Sequence, residues 1–237
     1  MSVNYNPKIV TNGLVLYLDA ANIKSYPGSG TVWNDLSGNG NHGTLVNSPT
    51  FDNKSIVFNG TKNGSYPYIS LGNNKCQYQD NFTVETICKF PNLPNNAGNP
   101  CLARHPIVNN NSWGYNLAVI ETGLIRFNIY NTVGTGNNVY SLASVIGNNY
   151  FHTISIKSGV NLYLYLNGIY QSTAQLSTNV VYYHASYPTF LIGGYGVCGA
   201  DTFYATGNIA IVKVYNRVLS VAEIQQNFNA IRSRYGV

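Results

Sequence analysis

The segment "NLYLYLNGIYQS", residues 161–172, contains the pattern that decides the fold. Its leucines at 162, 164 and 166 alternate with tyrosines at 163 and 165, which is the two-residue period of a β-strand with one apolar face. Asn167-Gly168 then favours a two-residue hairpin turn, because both central positions of such a turn need a positive φ. The segment therefore predicts two antiparallel strands, with the leucines facing a core and the tyrosines facing outward.

Short strand-like runs of the same kind fill most of the chain. In "NFTVETICKF", for example, Phe82, Val84 and Thr86 share one face and Glu85 and Ile87 the other. Many short strands at even spacing, with no helices between them, predict an all-β fold: an antiparallel two-sheet β-sandwich of the jelly-roll type. Further runs are "LVLYLDA" (14–20), "SIVFNG" (55–60), "FHTISIKS" (151–158), and "YNLAVI" and "LIRFNIY", which flank a predicted hairpin loop at 121–123.

One helix is predicted, at the end of the chain. Ser220 is a good N-cap, and Glu223 three residues later completes a capping box. Ile224, Phe228 and Ile231 follow at helical spacing, which indicates a short amphipathic helix packed on the sandwich. The sequence thus predicts one domain over residues 13–237, preceded by a polar N-terminal arm over residues 1–12 that a neighbouring molecule would order.

The composition excludes several classes of function. Charged residues are 9% of the 237 residues, against roughly 25% in an ordinary globular protein. The net charge of +5 comes from scattered basic residues, so no nucleic-acid partner is expected. No apolar stretch is long enough for a membrane span, and no secretion leader is apparent. We therefore expect a soluble protein with no membrane partner, made in a reducing cytoplasm with its four cysteines as thiols.

The loop "VWNDLSGNGNHGTL", residues 32–45, invites a functional interpretation, but its residues suit scaffolding better. Trp33 and Leu36 are expected to plug the core. Asp35 and Ser37 are expected to cap the turn through hydrogen bonds from side chain to backbone. Its glycines at 38, 40 and 43 would supply positive φ.

Five stretches together resemble the concanavalin A-like, laminin-G-like jelly-roll superfamily. Within that superfamily, this chain is similar to the laminin-G-like (LamG) domains common in virion proteins of tailed phages. The motifs that carry this similarity are "SYPGSG", "W.DLSGNGN.GTL" and the closing "YNR.LS..EI.QN". The stretches are "GLVLYLDAANIKSYPGSGTVWNDLSGNGNHGTL" (13–45), "SIVFNGTKNGSYPYISL" (55–71), "NFTVETICKF" (81–90), "FHTISIKSGVNLYLYLNGIYQS" (151–172) and "GNIAIVKVYNRVLSVAEIQQNFNAIRSRYG" (207–236).

This resemblance implies a location and a role. It places the protein in the virion, on the capsid or tail surface, after assembly in the bacterial host cytoplasm. The implied role is structural decoration with weak carbohydrate adhesion to the host surface. Other virion proteins and host cell-surface glycans are the expected partners, and a homo-oligomer is an open alternative. A cement or tail subunit without glycan binding is the competing interpretation, since interfaces are poor in charge and rich in Tyr and Trp.

An enzyme is not expected. Related glucanases carry paired carboxylates on one strand, because acid and nucleophile or base must flank one bond. Here no two of the eight acidic residues lie within three residues of one another, and Glu85 stands alone on its strand. A polysaccharide-degrading activity is therefore the weakest alternative. His152, on a predicted strand, is interpreted as a structural histidine.

Calcium is the one metal that the resemblance brings in. Laminin-G-like domains often bind it at the sandwich edge through Asp and carbonyl oxygens, and calcium takes six to eight oxygen ligands. The candidate carboxylates are Asp19, Asp35 and Asp201. The chain departs from the family at residues 58–63, where Asn63 stands in place of a common Asp and Lys62 beside it adds a positive charge.

Carbohydrate binding is the main functional hypothesis. Aromatic rings stack on the C–H faces of sugars, and amides supply both donors and acceptors. Four loops combine these groups, at residues 77–81, 109–116, 182–187 and 193–204. The candidate binding residues are Trp113, Tyr115, Asn111, Tyr183, Tyr187, Tyr195 and Tyr204.

Overall fold

The computed structural model describes residues 7–59, 66–73, 75–92, 99–104, 114–132, 135–181, 183, 189–195 and 203–237. These residues form strands β1 Leu14–Asp19, β2 Val32–Trp33, β3 Gly43–Val46, β4 Thr50–Phe51, β5 Ile56–Asn59, β6 Tyr68–Asn73, β7 Asn81–Lys89, β8 Asn99–Arg104, β9 Tyr115–Val119, β10 Ile125–Thr132, β11 Thr135–Tyr140, β12 Phe151–Ser158, β13 Asn161–Leu166, β14 Ile169–Gln175, β15 Thr189–Ile192, β16 Gly194–Tyr195, β17 Phe203–Tyr204 and β18 Thr206–Tyr215, and helix α1 Val221–Tyr235.

Two antiparallel sheets face each other, which confirms the predicted β-sandwich. The first sheet has the order β14-β13-β12-β7-β18-β5-β4, with β1 also paired to β18. The second has the order β11-β10-β9-β8-β15-β6-β3-β2, and β16 pairs with β17 alone. One large apolar cluster lies between the sheets and contains residues such as Trp33, Phe82 and Phe127, each with no exposed surface. Trp33 therefore has the core position predicted for it.

The hairpin that decides the fold forms as predicted. Asn167 and Gly168 have φ of 49° and 75°, and they join β13 to β14. Leu162 and Leu164 lie in the core between the sheets. The tyrosines at 163 and 165 lie on the outer face of the first sheet, half-buried beneath other residues rather than facing open solvent.

Helix α1 covers that outer face. Its N-cap is Ser220, and the capping box with Glu223 is present. The buried side of the helix carries Ile224, Phe228 and Ile231, as the spacing predicts. Ile224 and Ile231 each close a small apolar cluster over the first sheet, and Phe228 stacks on the His152 ring. Among the described residues, no helix is long and apolar enough to cross a lipid bilayer.

Residues 8–12 are held by the domain itself, which differs from the arm predicted to need a neighbour. The N–H of Val10 donates to Asn227 Oδ1 at 2.8 Å, and Tyr215 Oη donates to the Val10 carbonyl at 3.1 Å. Gln226 and Arg217 donate to the carbonyls of Lys8 and Asn12. Because Val10 also packs into an apolar cluster, these residues need no second molecule for their position.

Candidate functional site

Strand β10 separates apolar from polar side chains. Ile125, Phe127 and Ile129 have no exposed surface and belong to the core between the sheets. The alternating residues Arg126, Asn128 and Tyr130 must point to the other face, since successive side chains on a strand lie on opposite sides. The outer face of the second sheet is therefore polar along this strand.

Three asparagines lie side by side across this face. Asn128 on β10 is the register partner of Asn116 on β9 and of Asn138 on β11. Directly opposed residues on antiparallel strands place their Cβ atoms about 5 Å apart. Asn128 Nδ2 donates to Asn138 Oδ1, which links two of the three amides. We call Asn116, Asn128 and Asn138 the asparagine row.

The asparagine row contains acceptors that no described protein group uses. Asn116 and Asn128 are only 3% and 4% exposed. Their Oδ1 atoms are buried and have no hydrogen-bond partner within the part of the chain that the structure describes. Leaving such a group unsatisfied costs about 1–3 kcal/mol, so buried amides normally have partners. The two oxygens are therefore candidate acceptors for ligand hydroxyl groups, and a ligand would reach them only after the side chains turn toward the surface.

The backbone around the row leaves space for these amides. Gly136 on β11 is the register partner of Tyr130. A Cβ at position 136 would lie 2.5 Å from Asn128 Oδ1 and 2.9 Å from the Tyr130 ring. Glycine at this position thus allows the amide and the ring to lie against the neighbouring strand.

Arg126 adds a donor beside the row. Its Nε atom is buried and has no hydrogen-bond partner. Its register partners are Ala118 on β9 and Tyr140 on β11, and neither carries a charge to match the guanidinium. Tyr140 is 38% exposed and supplies an accessible ring at the strand end. The face thus offers two acceptors, a cationic donor and an aromatic side chain within one patch.

Tyr115, a predicted sugar-binding residue, lies in the core instead. It has no exposed surface, and its ring packs 4.7 Å from that of Phe82. Its hydroxyl donates to the Cys76 carbonyl at 3.0 Å. The prediction for Tyr115 was wrong because strand alternation on β9 turns it inward and sends Asn116 to the outer face.

Tyr183 lies where two of the predicted loops meet. Its hydroxyl accepts from the Tyr78 N–H at 3.1 Å and donates to the Tyr78 carbonyl at 2.9 Å. The side-chain amide of Gln79 pairs in the same way with the backbone of Val181. Tyr204, in a separate place, stacks on Tyr66 with ring centroids 3.4 Å apart. The Tyr183 hydroxyl, the Gln79 amide and one face of the Tyr204 ring were predicted to contact a sugar, and here they contact other protein groups.

The other predicted binding residues are not placed by the structure. Trp113, Asn111, Tyr187 and the candidate metal ligand Asp201 lie outside the described residues. Tyr195 lies on β16, and its side chain is not described. Their proposed roles stay predictions.

Asp35 is a turn cap, as the scaffolding interpretation of its loop predicts. Its Oδ1 accepts from the N–H groups of Tyr17 and Ser37 at 2.8 and 2.9 Å. Its Oδ2 accepts from the Ser37 hydroxyl and the Asn41 N–H at 2.8 and 2.9 Å. Gly38 and Gly40 have the predicted positive φ, of 86° and 67°. Four donors thus occupy the carboxylate, which leaves it poorly suited to bind calcium.

Gly43 departs from the prediction of positive φ. It lies on β3, and a Cβ there would be 2.6 Å from Ile69 Cγ2. The glycine is therefore required for close packing rather than for a turn.

Asp19 is also engaged within the protein. Its Oδ2 accepts from Arg234 at 2.8 Å and from the Tyr17 hydroxyl at 2.9 Å. The guanidinium already supplies a cation here, although Oδ1 has no hydrogen-bond partner. Among the described side chains, no group of three or more His, Cys, Asp or Glu could hold a metal ion. These contacts argue against Asp19 and Asp35 as calcium ligands.

A buried polar cluster fixes helix α1 to the first sheet. Glu85 on β7 accepts from Lys213 at 2.7 Å and from Asn227 on the helix at 2.7 Å. His152 Nε2 lies 3.1 Å from Glu85 Oε1, which supports its interpretation as a structural histidine. Burial favours a higher pKa for Glu85, but the charge of Lys213 and the contact with His152 outweigh it and lower the pKa to about 2.

Acid is expected to weaken the fold between about pH 4.5 and pH 2. The pKa of Glu85 falls from 4.5 to about 2 on folding, so the unfolded chain binds the proton more tightly. The stabilisation from the ionised carboxylate is complete above pH 4.5 and is lost as the pH falls through 2. Urea unfolding across this range should show the decline. Glu85→Gln should reduce its slope, and a smaller decline should remain because Arg217 also lowers the pKa of Glu223 to about 2. Glu121→Gln, at an exposed position, is the control and should leave the pH dependence of the unfolding free energy as in wild type. An equal effect of both variants would contradict the assignment of the acid sensitivity to Glu85.

Sequence reasoning missed Asn128, Asn138 and Arg126. Asn116 was included only as the last residue of a predicted binding loop. The available signal was the alternation of "IRFNIY", 125–130, which puts Arg, Asn and Tyr on one face of a strand. The register that joins this face to Asn116 and Asn138 depends on strand pairing.

Fold and site together define a lectin-like β-sandwich with a polar outer sheet face. The family model of the Laminin_G_3 domain, of the concanavalin A-like lectin/glucanases superfamily, matches residues 63–225. This match covers more than half of the chain, so the chain belongs to that family. No curated protein sequence matches the chain.

Solved structures with the same fold have low sequence identity. One is of botulinum neurotoxin type C, from work on its interaction with two ganglioside molecules, with 12% identity and a TM-score of 0.70 over 94% of this chain. A binding domain of botulinum neurotoxin DC in complex with rat synaptotagmin II has 12% identity and a TM-score of 0.69 over 94% of this chain. A mutant Trypanosoma rangeli sialidase has 18% identity and a TM-score of 0.67 over 97%. The chain spans 52% of the toxin chains and 34% of the sialidase chain.

Proposed function

We propose that this domain is a non-enzymatic carbohydrate-binding module whose site is the asparagine row. The observation that carries the proposal is the pair of buried Oδ1 atoms of Asn116 and Asn128 that lack protein partners. Sugar hydroxyls are donors and would supply the missing hydrogen bonds. The exposed ring of Tyr140 at the end of the patch offers an apolar face for the sugar ring.

The similar solved structures support the proposal of carbohydrate binding. Botulinum neurotoxin type C interacts with two ganglioside molecules, and the binding domain of botulinum neurotoxin DC forms a complex with SialylT. Those ligands belong to those proteins, and at 12% identity the likeness concerns the fold. A binding role without catalysis agrees with Glu85, which is buried and paired to Lys213 and so is removed from any substrate.

The setting of the protein in a tailed-phage virion is part of the proposal. It rests on the resemblance of the loop at 32–45 and of the closing segment at 215–232 to phage laminin-G-like domains. On the particle, on capsid or tail, the domain would decorate the surface and adhere weakly to host glycans. Detection of the protein in purified particles by mass spectrometry would test this setting.

Asn128→Ala is expected to reduce glycan affinity at least about tenfold, because it removes one unpartnered acceptor and the bond that positions Asn138. The measurement is titration of the full chain with a glycan panel and with the host's surface polysaccharide, by calorimetry or ligand-observed NMR. Asn229→Ala, on the exposed side of α1, is the matched control and should bind like wild type. Saturable binding that survives Asn128→Ala unchanged would place the site elsewhere, and the loop of Trp113 would be tested next.

A structural subunit without glycan binding is the second candidate. Leu142 and Ile169 are 75% and 67% exposed, and Tyr170 beside them is also exposed. They lie where the edge strands β11 and β14 meet, joined by a bond from the Leu142 N–H to Gln171. Exposed apolar side chains of this kind are common at protein contacts. Absence of binding at millimolar glycan would favour this role over the first.

A further inference from the structure

We infer that Arg126 makes the asparagine row selective for sugars that carry a carboxylate, such as uronic or sialic acid residues. This inference rests on the proposed function. It adds the chemical class of the ligand, since the amides alone would accept neutral and acidic sugars equally.

Arg126 differs from the other buried or half-buried arginines whose side chains the structure describes. Arg217 pairs with Glu223 at 2.6 Å, and Arg234 pairs with Asp19 at 2.8 Å. Within the described residues, Arg126 forms no ion pair, and its Nε atom is buried without an acceptor. Arg126 thus places on this polar face a guanidinium whose charge no described carboxylate balances.

Among the described residues, the neighbours of Arg126 do not supply an anion. Its cross-strand partners are Ala118 and Tyr140. Glu121, the nearest acidic residue in the sequence, is exposed in the turn that precedes β10. A ligand carboxylate would meet the planar guanidinium through two parallel hydrogen bonds, which is the arrangement that arginine favours.

The spacing suits a single acidic sugar residue. Arg126 and Asn128 lie on the same face of β10 and are separated by two residues, or about 7 Å along the strand. Asn116 lies directly across from Asn128. A sugar with its carboxylate at Arg126 would therefore direct hydroxyl groups to the free Oδ1 atoms of Asn128 and Asn116.

The test compares two ligands that differ only in the carboxylate. An oligogalacturonide and its carboxyl-reduced counterpart would each be titrated against the full chain. Wild type is expected to prefer the acidic form by about tenfold or more. Arg126→Gln should remove that preference, so that the variant binds the acidic and the reduced form with similar affinity. Arg126→Lys should keep part of it, since the charge remains but the planar group is lost.

The control is Arg232→Gln, which makes the same change of charge on the exposed side of α1 and should leave the preference intact. Thermal unfolding of each variant checks that the fold is retained. Equal binding of the two ligands by wild type, or a preference that survives Arg126→Gln, would overturn the inference and leave the proposed function standing. A sulfated oligosaccharide that binds as tightly as the acidic one would overturn the assignment to a carboxylate. Failure of both ligands and of the glycan panel to bind would overturn the proposed function as well.

Discussion

Lys213→Ala is expected to lower the free energy of unfolding by about 3–5 kcal/mol, because it leaves a buried charge without its partner. Lys213 Nζ lies 2.7 Å from Glu85 Oε1, and neither side chain has exposed surface. The two residues are register partners on β18 and β7, at the centre of the first sheet. Asn227 and His152 would remain as hydrogen-bond partners of Glu85 but would not replace the lost positive charge.

Chemical denaturation followed by tryptophan fluorescence measures this effect. Lys24→Ala, at an exposed position, is the control and should change the free energy by less than about 0.5 kcal/mol. In the Lys213→Ala background, Glu85→Gln should restore part of the loss, since the uncompensated charge is then removed. A Lys213 variant as stable as the Lys24 variant would show that the pair contributes little to the fold.

Asp35→Ala is expected to lower the free energy of unfolding by about 3 kcal/mol or more. The carboxylate accepts four hydrogen bonds, three of them from the backbone N–H groups of Tyr17, Ser37 and Asn41. Removing the acceptor leaves partly buried donors unpaired, at about 1–3 kcal/mol for each that solvent does not reach. Asp35→Asn should cost less, since its remaining oxygen can still accept from Tyr17 and Ser37.

The same experiment separates a turn cap from a calcium ligand. Glu121→Ala, an exposed carboxylate, is the control and should leave the melting temperature close to that of wild type. Addition of calcium or of a chelator should leave the melting temperature of wild type unchanged if protein donors fill the Asp35 carboxylate. If the chelator lowered the melting temperature of wild type to that of the Asp35→Ala variant, the Asp35 carboxylate would be a metal ligand.

The fold could be predicted from local sequence patterns, because each of these patterns depends only on residues that are close in the sequence. The alternation of Leu162 and Leu164 with tyrosines, the Asn167-Gly168 turn and the capping box of Ser220 and Glu223 all occur in the structure as predicted. Each is set by the period of a strand or by the geometry of a single turn. The two-sheet sandwich follows from many such segments together.

The residues of the candidate site were harder to predict from the sequence, because strand register determines which of them lie together. Tyr115 was chosen for its aromatic ring in a polar stretch, yet one step of alternation decides that Asn116 and not Tyr115 faces outward. Asn116, Asn128 and Asn138 lie on three strands, and only their pairing makes them neighbours. The free Oδ1 atoms are likewise a property of packing in three dimensions. Composition indicated the kind of residue, and the strand pairing supplied the position.

Two segments near the ends of the described chain lie on the same side of the molecule. Residues 8–12 and helix α1 pack on the outer face of the first sheet, joined through Val10 and Asn227. The asparagine row lies on the outer face of the second sheet. If the domain is mounted on a particle through this side, as the proposed virion setting implies, its row would be directed away from the support and many copies would present an outward array. Weak individual contacts would then add up to firm attachment by multivalency.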